Sequence, residues 1–140
     1  MARLCVMGCG WTVARSLKEL AMTILVVDDD REYENVLCQG LEQYGHIVLG
    51  AANGNEAFKV LQHHRVDLIV SDIRMPECTG MELHEMVRDD EGLHGLPFVF
   101  ITGDPSLRVG TPLDDTGHDF IVSKIPFERL LHVIDDIRQN

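Results

Sequence analysis

Apolar residues are distributed along the chain in two alternating patterns. Short continuous runs occur at Thr23-Ile24-Leu25-Val26-Val27, His46 to Ala51, Val66 to Val70, Pro97 to Ile101 and Phe120 to Val122. Runs without a polar alternate belong to strands covered on both faces. Between them the apolar positions recur every three or four residues: Tyr33, Val36, Leu37, Leu41 and Tyr44; then Ala57, Phe58 and Leu61; then Leu83, Met86 and Val87; finally Phe127, Leu130, Leu131, Ile134 and Ile137. That spacing predicts helices burying one face. Gly45 closes the first helix, Asn53-Gly54-Asn55 turns the chain into the second, and Glu77-Cys78-Thr79-Gly80 leads into the third.

Strands alternating with helices imply an α/β fold with a parallel sheet covered on both faces. One link is weak. Between the fourth and fifth strands, Pro105, Gly110 and Pro112 interrupt Asp104 to Thr116, so the fourth helix is expected to be short or irregular. Residues 1 to 21 show no period. Arg3 followed by the apolar run Leu4 to Ala14 has the outline of a signal peptide, but the run is too short to cross a bilayer and lacks a good cleavage context. The expected organisation is an N-terminal extension over 1–21, disordered or the product of a mis-assigned start, followed by one domain over 22–140.

Composition narrows the function. With 140 residues, 45% of them hydrophobic, the chain can bury the core of one domain. A formal net charge of -11 disfavours nucleic-acid backbones and anionic membranes as partners, and favours basic protein surfaces or metal ions. Cys5, Cys9, Cys38 and Cys78 form no C-x-x-C pair, which fits free thiols in a reducing cytoplasm. His63 and His64 are adjacent on a helix and point about 100° apart, so they suit a helix C-terminus better than a shared metal.

The candidate chemistry lies at the strand ends. The first strand runs into Asp28-Asp29-Asp30, the third ends on Asp72, the fourth on Thr102 and the fifth on Lys124. Parallel strands bring these residues to one edge of the sheet, the edge at which open α/β folds bind ligands. Asp72 alone could equally cap the following loop. Three converging carboxylates repel one another and raise each other's pKa unless a cation compensates. All-oxygen ligation suits Mg2+, and a hydroxyl and an ammonium beside it are donors for phosphoryl oxygens. The set reads as a phosphorylatable aspartate.

On Ile24-Leu25-Val26-Val27-Asp28-Asp29-Asp30, Asp67 to Pro76, Phe100-Ile101-Thr102-Gly103, and Lys124 with Pro126-Phe127, the chain resembles the receiver domain of bacterial two-component response regulators, the CheY-like family, over residues 23 to about 139. The resemblance implies a flavodoxin-like (βα)5 three-layer sandwich with strand order 2-1-3-4-5. It implies that Asp72 is the phosphoacceptor for the phosphohistidine of a sensor histidine kinase or phosphotransfer protein. Asp29 and Asp72 would hold Mg2+ directly, Asp28 through water, and Arg74 through its main-chain carbonyl. Thr102 would bond the new phosphoryl oxygen, Lys124 would pair with it, and Phe120 would be the aromatic that turns inward as Thr102 moves. Such a cytoplasmic phosphoprotein catalyses its own phosphorylation and dephosphorylation, with no turnover on an external substrate. It would act in phosphorelay signal transduction by switching a surface for a downstream protein, without direct contact to nucleic acid or membrane.

Two readings compete. A pseudo-receiver would keep the fold as a binding module without taking phosphate. A flavin binder or an aspartate phosphatase fits poorly, because a Gly-rich loop after the first strand and a D-x-D motif are both missing. One departure from the family stands out: Ile125 separates Lys124 from Pro126, and Phe120 lies four residues before Lys124 where the family has three. On a regular strand that spacing turns both side chains the same way. The expectation is that Lys124 keeps its place, that a bulge near Val122-Ser123 absorbs the extra residue, and that any cis bond falls at Ile125-Pro126.

Overall fold

The computed structural model describes residues 21–75, 77–103, 119–124 and 127–139. Five strands, β1 (Thr23–Val27), β2 (Ile47–Ala51), β3 (Leu68–Asp72), β4 (Phe98–Thr102) and β5 (Asp119–Ser123), form one parallel sheet in the order β2-β1-β3-β4-β5. The described helices are α1 (Arg31–Gln43), α2 (Gly54–His63), α3 (Gly80–Asp89) and α4 (Phe127–Gln139). The fourth helix expected between β4 and β5, residues 1–20 of the N-terminal extension and the Ile125-Pro126 bond all fall outside the described residues.

The starts of α1, α2 and α3 are chemically marked. Asp30 accepts from the Glu32 and Tyr33 N–H groups, Asn53 from Glu56, and Thr79 exchanges bonds with Glu82 in a capping box. Such caps satisfy amides that would otherwise lack partners, at about 1 kcal/mol each. Gly45 ends the first helical unit with φ +90, and its N–H donates to the Glu42 carbonyl at 3.0 Å. A side chain would strain that left-handed conformation.

Because side chains alternate along a strand, the sheet supports two cores. Ile24, Val26, Leu68, Val70, Val99, Ile101 and Val122 pack on one side against Leu37 and Leu41 of α1 and Leu130 and Ile134 of α4. Leu25, Val27, Ile69, Phe98 and Phe100 pack on the other against Ala57 and Leu61 of α2 and Leu83 and Val87 of α3. The central strands are buried on both faces, which is why their sequences carry no polar alternate.

The β4–β5 register corrects one expectation. Pairing runs residue for residue from Phe98↔Asp119 to Thr102↔Ser123, and the Lys124 N–H continues it by donating to the Thr102 carbonyl at 2.8 Å. The expected bulge at Val122-Ser123 is therefore replaced by regular strand. Strict two-residue alternation then puts Phe120, Val122 and Lys124 on the α1/α4 side. Phe120 indeed packs there, beside Leu130 and Ile134, while Ile121 packs on the opposite side.

Candidate functional site

The carboxylates converge at the C-terminal edge of the sheet. Asp28, immediately after β1, is fully buried; Asp29 is exposed; Asp72 ends β3 and is partly exposed. One oxygen from each lies within 4.8 Å of the others, an arrangement able to hold a metal ion. The donors are all carboxylate oxygens, the ligand type of a hard divalent cation such as Mg2+.

Lys124 closes the group on the other side. Its ammonium donates to Asp28 Oδ2 at 3.0 Å and to Asp72 Oδ2 at 3.3 Å. Burial raises the Asp28 pKa and the nearby Asp72 charge adds to the rise, opposed by the Asp30 N–H and Lys124. Burial alone would lower the Lys124 pKa. The hydrogen bond and charge of Asp28, joined by Asp72, outweigh that effect and leave it raised. The pair is thus a desolvated cation shared by two acids, with each charge state sustaining the other.

Main-chain geometry fixes Asp72 from behind. Ser71 Oγ donates to the Asp72 carbonyl at 2.8 Å, and the Arg74 N–H reaches Asp72 Oδ1 at 3.4 Å. The start of α3 then presses on the same peptide. A Cβ at Gly80 would collide with the Asp72 carbonyl oxygen and come within 3.0 Å of Ser71 Oγ. The loop between them passes through Glu77 at φ 67 and seats the buried Cys78 against Gly54. Burial and, to a lesser extent, Glu82 raise the Cys78 thiol pKa.

Thr102 ends β4, buried, one residue beyond the Asp72↔Ile101 register pair. By alternation it shares the face of Phe98 and Phe100. Phe120 packs on the α1/α4 side, whereas Asp119, Ile121 and Ser123 of β5 alternate onto the Thr102 face, with Ser123 the register partner of Thr102. Of the residues singled out in the sequence, the structure brings together Asp28, Asp29, Asp72 and Lys124, places Thr102 and the Arg74 main chain alongside, and leaves Phe120 apart.

Tyr33 belongs to this group although its helical spacing marks it as core. Lys124 Nζ lies 4.4 Å from the centroid of its ring, and its hydroxyl donates to the Lys124 carbonyl at 3.3 Å. Burial, then the charges of Asp28 and Asp72, push its pKa up to about 12. The available signal was its position one helical turn after the Asp30 cap, which aims it back at the strand ends.

A second polar cluster lies at the opposite edge. Asp119, which opens β5 and is 1% exposed, accepts from Arg88 and from His84 Nε2, the latter at 2.8 Å. Arg88 also donates to the His94 and Leu96 carbonyls at 3.0 and 2.9 Å. These bonds tie α3 and the loop after it to the edge strand.

The family model described as the response regulator receiver domain matches residues 24–135. Response regulator Rre1 of Synechocystis is 34% identical over 108 residues, covering 76% of this chain and 46% of that protein. The CAI-1 autoinducer sensor kinase/phosphatase CqsS of Vibrio cholerae is 33% identical over 113 residues, covering 79% of this chain and 16% of that protein. The chain thus spans less than half the length of either relative. Among solved structures, response regulator TrrA of Thermotoga maritima, in complex with Mg(2+)-BeF, superposes with a TM-score of 0.70 at 25% identity, covering 83% of this chain and 98% of that one. No described helix is long and apolar enough to cross a membrane.

Proposed function

The chain belongs to the response regulator receiver domain family, and from that premise we propose that Asp72 accepts a phosphoryl group from the phosphohistidine of a sensor histidine kinase or phosphotransfer protein. An Asp72 carboxylate oxygen attacks phosphorus, the P–N bond breaks, and the imidazole leaves with the electron pair and takes up a proton. The product is an aspartyl phosphate, formed by nucleophilic catalysis. The observation that carries the reading is the Lys124 ammonium shared by Asp28 and Asp72 within an acidic cluster. A donor already aimed at the acceptor carboxylate can pass to a phosphoryl oxygen without rebuilding the site.

Asp29 and Asp72 directly, Asp28 through water and the Arg74 carbonyl are the residues that would hold Mg2+, as supported by the all-oxygen donor set and the Mg(2+)-BeF complex of TrrA. When bound, the ion neutralises charge on the transferring group. Thr102 is proposed to donate its hydroxyl to the same group, and Lys124 to pair with it. Phosphorylation would then change a surface read by a downstream protein, with residues 22–140 acting as the receiver in the cytoplasm.

Incubation with acetyl phosphate and Mg2+, followed by intact-mass measurement, tests this. The expected result is a gain of one phosphoryl mass that Asp72→Asn eliminates. No gain, together with no response to beryllofluoride, would establish a pseudo-receiver instead.

A further inference from the structure

Lys124 occupies an unusual place in its strand. The β5 ladder ends at Ser123, the Lys124 N–H makes the next bond to the Thr102 carbonyl at 2.8 Å, and Ile125 then separates Lys124 from Pro126. A lysine carries a flexible four-carbon stem whose ammonium needs an external restraint to hold one geometry. Tyr33 touches Lys124 at both ends. Its ring lies 4.4 Å from the ammonium, and its hydroxyl donates to the main-chain oxygen at 3.3 Å. Tyr33 is itself anchored, since its N–H donates to the Asp30 cap at 3.2 Å.

We propose that Tyr33 is a positioning residue that clamps Lys124 between ring and carbonyl, holding the ammonium over the Asp28–Asp72 pair where a phosphoryl oxygen will arrive. The inference rests on the phosphoacceptor reading above. Ring and ammonium form a cation–π contact in a partly buried setting, while the hydroxyl contact fixes the backbone from which the stem departs. The edge of the site is thus set by a residue from α1, the helix that follows β1, a strand that β3 and β4 separate from β5. Tyr33 also packs against the α1/α4 core, a role that leucine could fill equally well. Tyr33→Leu therefore separates clamping from packing, and Tyr33→Phe separates the ring from the hydroxyl.

The test has two arms. In the first, without any phosphoryl donor, the chain is labelled at its lysines, Lys18, Lys59 and Lys124, and the Hε resonances are read by NMR. One lysine should show a ring-current shift that survives in Tyr33→Phe and vanishes in Tyr33→Leu. In the second, beryllofluoride affinity in Mg2+ should fall about 3- to 30-fold in Tyr33→Leu and recover most of that loss in Tyr33→Phe. The absence of a ring-current shift in the unsubstituted protein would overturn the clamp whether or not Tyr33→Leu folds. So would wild-type beryllofluoride affinity in a folded Tyr33→Leu. Failure of the unsubstituted protein to bind beryllofluoride at all would instead strike at the phosphoacceptor reading, with the first arm still deciding whether the contact exists.

Discussion

The Lys124 ammonium bridges Asp28 and Asp72, 3.0 Å from one carboxylate and 3.3 Å from the other. Asp28 is fully buried, and its pKa is raised even with this cation present. A carboxylate whose folded pKa exceeds its unfolded value binds its proton longer when folded, so its contribution to stability declines as pH rises past the ordinary carboxylate range. Removing the ammonium deepens that effect. Lys124→Met should lose about 1.5–3 kcal/mol at neutral pH, with a smaller loss near pH 4. Urea unfolding at the two pH values checks it, and Mg2+ should restore part of the neutral-pH deficit.

Asp72→Asn removes the proposed nucleophile and also relieves repulsion among three acids. It should take no phosphate from acetyl phosphate, yet melt no lower than the unsubstituted protein when Mg2+ is absent. Thermal unfolding paired with intact mass decides the matter; uptake at the original rate would move the acceptor elsewhere.

Gly80 marks where α3 presses on the peptide of Asp72. A methyl there has to displace either the Asp72 carbonyl or the helix start, both of which are main chain. Gly80→Ala is expected to cost about 1–3 kcal/mol in chemical denaturation. Mg2+ affinity, followed by calorimetry, should fall alongside, because the displaced peptide carries an acid of the site.

His46 supplies a pH signature unrelated to the site. Its Nδ1 accepts from the Met22 N–H at 3.1 Å, which requires that nitrogen to be unprotonated. Burial, then the neighbouring Arg138, lower its pKa, with Asp135 opposing. A histidine with a depressed folded pKa contributes stability that is fully present above its unfolded pKa of about 6.5 and is lost as pH falls below it. His46→Gln should therefore flatten the stability profile between pH 7 and pH 5, measured by urea unfolding.

The strands and their polar ends were legible because continuous apolar runs have few other fates and because parallel packing forces their C-termini together. Asp28, Asp29, Asp72, Thr102 and Lys124 could be grouped on that ground alone. The fate of the extra residue near Lys124 was not legible. Sequence spacing shows that Phe120 and Lys124 share a face on a regular strand, but not whether the strand bulges between them; the unbroken ladder with β4 decided that it does not. Tyr33 was hidden because its helical spacing is satisfied equally by core packing and by contact with a distant lysine. Asp119 was hidden for a related reason: its partners Arg88 and His84 lie on a helix that precedes it by some thirty residues, and only tertiary structure joins them.

The seat of Cys78 against Gly54 turns the chain into its own gauge of motion. Burial suppresses thiolate formation at Cys78, and it raises the Cys38 thiol to about 11, with Glu34 and Glu42 adding to the effect. Alkylation needs the thiolate and access to it, so both sulfurs should react slowly while the fold is closed. Modification of Cys78 then counts the occasions on which the loop beneath Asp72 lifts away from α2. Site-resolved mass spectrometry of alkylation can follow this rate, and on the proposed ligation by Asp72 and the Arg74 carbonyl, beryllofluoride with Mg2+ should slow it.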